Sequence, residues 1–169
     1  MINLKEIQNK IVTKNNVYCL IIILIIFFLD RYTKILILDK FSENTYYLND
    51  YINLDLIWNI GIGFGFLSTT SSIIYNLITV LILSIIVFLF ISMIKAEYLD
   101  KIIYSTIIGG ALGNFYDRVI FMAVPDFIDL HYNNFHWFIF NVADIFITIG
   151  IICLIFIEFI FYKKNNEKK

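Results

Sequence analysis

The stretch Ile73-Ile74-Tyr75-Asn76-Leu77-Ile78-Thr79-Val80-Leu81-Ile82-Leu83-Ser84-Ile85-Ile86-Val87-Phe88-Leu89-Phe90-Ile91-Ser92-Met93-Ile94 carries no charged residue. A helix needs about 20 predominantly apolar residues to cross a hydrocarbon core, and this run meets that length. Outward from it lie three more long apolar segments, at residues 18–38, 102–122 and 138–162. The chain as a whole is 60% hydrophobic with a mean hydropathy of +0.80, beyond the roughly half-apolar composition of soluble domains. The sequence therefore predicts an all-α membrane protein: one domain over residues 1–169, four transmembrane helices, and an outer loop at 39–70.

The first segment differs from a cleaved signal peptide. No small-residue cleavage site follows its apolar core; Asp30, Arg31 and Lys34 come next, and then more apolar residues. It reads as a retained helix. Cys19 and Cys153 both fall inside apolar segments, which suggests neither a disulfide framework nor a metal cluster. The lysines give an orientation. Lys5, Lys10 and Lys14 precede the first span, Lys95 and Lys101 flank the second connection, and Lys163, Lys164, Lys168 and Lys169 end the chain. By the positive-inside rule both termini are cytoplasmic, and residues 39–70 and 123–137 lie outside. The outer segments are accordingly acidic, with Asp39, Glu43, Asp50, Asp55, Asp126 and Asp129.

Partial alternation around Ile52-Asn53-Leu54-Asp55-Leu56 predicts short strands within 44–58. Gly61, Gly63 and Gly65 follow, and then the hydroxyl run Ser68-Thr69-Thr70-Ser71-Ser72, which reads as an N-cap for the second span. Trp58 and Trp137 suit the outer interface. On the third span Gly109 and Gly113 allow close helix approach, while Gly110, Asn114 and Arg118 share a face beside Asp117. On the fourth, Asn141, Asp144 and Thr148 share a face. The two polar stripes can meet.

Asp126 and Asp144 carry the chemistry best. Ionisable groups at membrane depth are functional-site candidates by default, and two carboxylates brought within about 3 Å share one proton, so that one serves as base and the other as acid. Such a pair can activate water against a peptide carbonyl. Asp126, placed on a loop or helix start, has an alternative as an N-cap after Pro125; Asp144 lies inside the apolar run with no Lys or Arg within a helical turn. Asp117 and Arg118 read first as bracing, and Asp30 with Lys34 as an i, i+4 ion pair. His131 and His136 near Asp126 and Asp129 raise a metal site, but no His-Glu-x-x-His helix is present, and no metal is expected. A Ser/Lys nucleophile using Ser68, Ser71 or Ser72 with Lys34 is weaker still. From other classes, a small proton-coupled transporter subunit would also use intramembrane Asp residues, though Ile102 to Ile108 and Ile149 to Phe161 leave little polar path to the inside. A purely structural assembly factor is a third reading.

Five elements in order resemble one family. They are Asp30-Arg31-Tyr32-Thr33-Lys34, Asn59-Ile60-Gly61-Ile62-Gly63-Phe64, the run Gly109-Gly110-Ala111-Leu112-Gly113-Asn114-Phe115-Tyr116-Asp117-Arg118, then Val124-Pro125-Asp126-Phe127, and finally Phe140-Asn141-Val142-Ala143-Asp144. Together they resemble signal peptidase II, the bacterial membrane aspartyl protease that cleaves prolipoproteins before a diacylglyceryl-modified cysteine. The resemblance implies Asp126 and Asp144 as catalytic residues. It implies Asn59, Gly61, Gly110, Asn114, Arg118 and Asn141 around the site and substrate, with Asp30, Lys34 and Asp117 supporting the fold. It also implies an outer β-rich cradle, a short amphipathic helix within 39–70 or 126–137, membrane lipid as surroundings, inhibition by globomycin-type cyclic peptides, and no cofactor or nucleic-acid partner. Arg31, where glutamine is common in the family, and Gly63 and Gly65, where alanine and serine are common, are departures.

Overall fold

The computed structural model describes residues 13–41, 44–61, 71–133 and 135–166. In order they form α1 (Lys14–Lys40), β1 (Tyr46–Asn49), β2 (Ile52–Asn59), α2 (Ser72–Lys95), α3 (Tyr98–Phe121), β3 (Val124–Tyr132), β4 (Phe135–Phe140) and α4 (Val142–Asn166). The protein is thus mostly helical with one small antiparallel sheet.

α1 starts cleanly because the Thr13 hydroxyl accepts the Asn16 N–H at 3.2 Å, satisfying one of the free amides of a first turn. Ser71 is the N-cap of α2, but its side chain makes no capping bond to that turn; the rest of the expected hydroxyl cap, residues 68–70, lies outside the described residues. Polar side chains within the helices bond back to their own turns, Thr79 to the Tyr75 carbonyl, Ser84 to Val80 and Thr106 to Ile102, each at 2.9 Å. Such back-bonding keeps a hydroxyl satisfied without water.

α2 and the Val142–Ile160 part of α4 are long and apolar enough to cross a membrane. Large apolar side chains such as Ile73, Leu77, Phe88, Ile155 and Phe156 stand exposed on them. α1 and α3 are as long, but each carries charges, and Asp30, Arg31, Lys34, Asp117 and Arg118 are all buried. α3 packs against each of the other three helices among the described residues. Glycines permit this: a Cβ at Gly110 would stand 2.6 Å from the Ala143 carbonyl oxygen of α4, and one at Gly113 would strike the Asp30 carboxylate of α1. Lys101, placed by its sequence at a loop edge, is instead buried in the first turns of α3, where its ammonium bonds Asn16 and the Ile94 carbonyl, each at 2.8 Å.

The strands lie in the order β1-β2-β3-β4. The expected strands within 44–58 are β1 and β2. The second hairpin corrects the reading of the outer connection: residues 124–132 and 135–140 are strands, so Asp126 sits on β3 and neither caps nor starts a helix. Among the described residues no helix occupies 126–137, and the described part of 39–70 contains none after α1. The last helix begins at Val142 rather than at 138, because Phe138 to Phe140 belong to β4.

β3 follows α3 through Met122, whose φ of 55° is left-handed. Glycine tolerates that conformation far better than a side-chain-bearing residue. The Met122→Gly variant should therefore gain about 1 kcal/mol, read as a higher midpoint in thermal unfolding of the detergent-solubilised protein.

Candidate active site

Register brings the acidic pair to one place. Ile57 of β2 pairs with Asp126 and Asn59 with Val124, so Asn59 is a same-face diagonal neighbour of Asp126, within reach of its side chain. Its amide donates to Asp126 Oδ2 at 2.8 Å. On the other side β4 runs antiparallel to β3, with Phe140 opposite Ile128, which delivers Asn141 to the same carboxylate. The Asn141 amide donates to Asp126 Oδ1 at 2.6 Å.

Asn141 also opens α4. Its side-chain oxygen accepts the Asp144 N–H at 3.1 Å, and its own N–H donates to Asp144 Oδ2 at 3.1 Å. This is a reciprocal capping box with Asp in the position that Glu or Gln usually holds. The capping alternative weighed for Asp126 thus does not hold, and it is Asp144 whose side chain joins a helix cap. The other carboxylate oxygen of Asp144, Oδ1, accepts from the Asn114 amide at 2.8 Å.

Asp126 is buried. Burial and then the neighbouring Asp144 charge push its carboxyl up to about 7, against the pull of the Asn59 and Asn141 hydrogen bonds. Asp144 is half-buried and borders an apolar cavity of about 260 Å³ lined by Phe140, Ile145, Thr148 and Ile149. Arg118 reaches back to the Asn114 carbonyl at 3.2 Å and across to the Gly61 carbonyl at 3.1 Å. The Gly61 N–H in turn donates to Asn59 Oδ1 at 2.9 Å. The Arg118 Nε is buried without a hydrogen-bond partner among the described residues.

Below this level lies a second polar cluster. Lys34, fully buried, donates to Asp30 Oδ2 at 2.8 Å, to Asn114 Oδ1 at 2.8 Å and to Asp117 Oδ2 at 2.7 Å. Asp30 Oδ1 accepts the Ala143 N–H at 3.0 Å. Asn114 links the levels, since one end of its amide accepts from Lys34 and the other donates to Asp144. Arg31 pairs with Asp117 and lies over the Tyr116 ring, 4.8 Å from its centroid. Sequence reasoning missed that role for Arg31, as it missed Tyr75, whose hydroxyl donates to the Arg118 carbonyl at 3.4 Å. Every expected site residue except Gly110 joins these bonded clusters, and Gly110 provides the close α3–α4 approach beside them.

The chain shares its fold with bacterial membrane enzymes. Two solved by the in meso method superpose on it, one at 2.3 Å resolution with a TM-score of 0.70 and 31% identity over 90% of this chain and 92% of that one. The other, at 1.9 Å, gives 0.65 and 32% over 82% and 90%. The class is thus a membrane-embedded enzyme. The family model for signal peptidase (SPase) II matches residues 22–161. A lipoprotein signal peptidase of Pelagibacter ubique is 52% identical over 95% of this chain and 99% of its own length, and one of Anaplasma marginale is 36% identical over 89% of each. The chain belongs to the signal peptidase II family, and it is an aspartic peptidase.

Proposed function

We propose that Asp126 and Asp144 are the catalytic pair of this enzyme, which removes signal peptides from prolipoproteins, and that the bond cleaved precedes a diacylglyceryl-modified cysteine. The observation that carries this reading is Asn141, which bonds both carboxylates at once. One carboxylate takes a proton from water, whose oxygen attacks the scissile carbonyl carbon. The other, protonated, donates to the carbonyl oxygen; the first then passes the proton it took from water to the leaving nitrogen as the C–N bond breaks, and the second recovers its proton from the gem-diol hydroxyl as the new carboxyl forms. Asn59, Asn114 and Asn141 hold the acids in place. Gly61 and Arg118 face the extended substrate backbone, for which the Arg118 Nε, without a partner among the described residues, is a ready donor. The apolar cavity beside Asp144 takes an apolar substrate group. Globomycin-type cyclic peptides would compete for this site.

The chain forms one domain in which all four helices span the cytoplasmic membrane. Buried charges in α1 and α3 face protein while apolar side chains face out, which favours this over two spans. The lysine distribution supports cytoplasmic termini and an outer sheet. The family match leaves the transporter reading without support.

Mass analysis of the peptide released from a diacylglyceryl prolipoprotein by the purified enzyme tests the bond assignment. Equal cleavage of the unmodified protein, or cleavage elsewhere, contradicts it. The pH dependence should also be characteristic. Activity needs one proton on the pair, so kcat/KM should fall as pH rises past about 7. Stability follows the same sign. The folded state binds a proton at Asp126 that the unfolded chain releases near pH 4, so stability is lost as pH climbs from about 4 through about 7. That slope should flatten in Asp126→Asn, as read from thermal midpoints across the range.

A further inference from the structure

Away from the acidic pair, strands β2, β3 and β4 gather a second set of polar side chains. Asp129 Oδ2 lies 2.8 Å from His136 Nδ1 and 3.8 Å from His131 Nδ1, and one donor atom from each of the three residues falls within 4.8 Å of the others. His131 and His136 are direct partners across β3 and β4, and their rings stack with centroids 5.3 Å apart. Asn53 opposes Asp129 across β2 and β3, which turns its side chain to the same face. Asp129 is buried, and among the described residues no lysine or arginine pairs with it.

What sets this cluster apart from an ordinary Asp–His pair is what it leaves unbonded. Asp129 Oδ1, His131 Nδ1 and Asn53 Oδ1 are all buried with no hydrogen-bond partner among the described residues. Native proteins rarely leave buried polar atoms so, and here all three belong to residues of one stretch of the sheet, with the Asp129 side chain 3% exposed and that of His131 10%. Each of these atoms has a lone pair to offer in the appropriate tautomer or ionisation state. His136, with its side chain 56% exposed, gives the position an opening to solvent.

We propose that Asp129, His131 and His136, with Asn53 as a neighbouring oxygen donor, bind one divalent transition-metal ion of the zinc class. Two imidazoles and a carboxylate are a borderline donor set suited to zinc and its first-row neighbours. Bonds of about 2 Å to a shared ion require only that the donor atoms draw together by side-chain rotation. The ion would take the unbonded His131 Nδ1 together with the Asp129 carboxylate and join β3 to β4 three residues beyond Asp126. It takes no part in the peptidase reaction and is a clamp on the hairpin.

The test uses tag-free, full-length protein in detergent, stripped with a chelator and titrated with zinc or cobalt(II). Expected are one ion per chain by equilibrium dialysis, visible ligand-field bands with cobalt, and a zinc-dependent rise in thermal midpoint. His136→Ala, at an exposed position and so expected to fold as the wild type does, should weaken binding at least tenfold and abolish the zinc-dependent rise; His131→Ala should do the same. Absence of cobalt bands from the wild type, or equal binding by wild type and both variants, would overturn the proposal. Retention of peptidase activity by His136→Ala is expected, and its loss together with loss of metal would overturn the purely structural role.

Discussion

Asp126→Asn and Asp144→Asn should each leave a folded enzyme whose rate of prolipoprotein processing falls by about 10³-fold or more. Asparagine keeps the volume and one carbonyl but cannot exchange a proton at the required step. At position 126 both carboxylate oxygens accept amide protons, from Asn59 and from Asn141. An asparagine there has only one oxygen to offer, so one of these bonds is lost while the cost of burying a charge disappears. At position 144 the choice falls between Asn114 and the Asn141 N–H, a loss of about 1 kcal/mol. Neither change should unfold the protein, and thermal midpoints near the wild type separate chemistry from stability. Either variant processing at more than a tenth of the normal rate would refute the assignment.

The largest stability effect is expected at Lys34. Its ammonium has no exposure and three short bonds to Asp30, Asn114 and Asp117. Lys34→Met leaves buried carboxylates without their cation, at about 3–5 kcal/mol, a large share of the 5–15 kcal/mol that typically holds a fold. Little folded protein should accumulate. Adding Asp30→Asn restores charge balance, because Arg31 and Asp117 then remain as a pair, and asparagine retains an oxygen for the Ala143 N–H. The double variant should recover part of the loss, measured as yield of monodisperse protein and its unfolding midpoint.

The helical part of this molecule was legible because membrane-length apolar runs leave little choice of structure. The i, i+4 spacing of Asp30 and Lys34 announced their ion pair, and the polar face of Asn114 and Arg118 announced the side of α3 that packs against protein. The β3–β4 hairpin was not legible. Pro125 before Asp126 suggested a cap, and β3 is buried on both faces over Val124 to Phe127, which erases alternation. The available signal was Tyr132-Asn133-Asn134-Phe135, since Asn133 takes a left-handed φ of 51° that asparagine tolerates in tight turns. Arg31 gave no local sign of its partner, because Asp117 is distant in sequence and the meeting depends on how α1 and α3 dock.

The hydrogen bond from the Ala143 N–H to Asp30 joins the first helix to the opening turn of the last. Synthesis runs from one to the other, so a growing chain carries Asp30 long before its partner exists. Until α4 arrives, neither the Asn141 cap nor Asp144 is present. The proposed pair of Asp126 and Asp144 is therefore assembled only at the end of biosynthesis, and on that proposal a nascent or truncated chain has no means of cutting its neighbours.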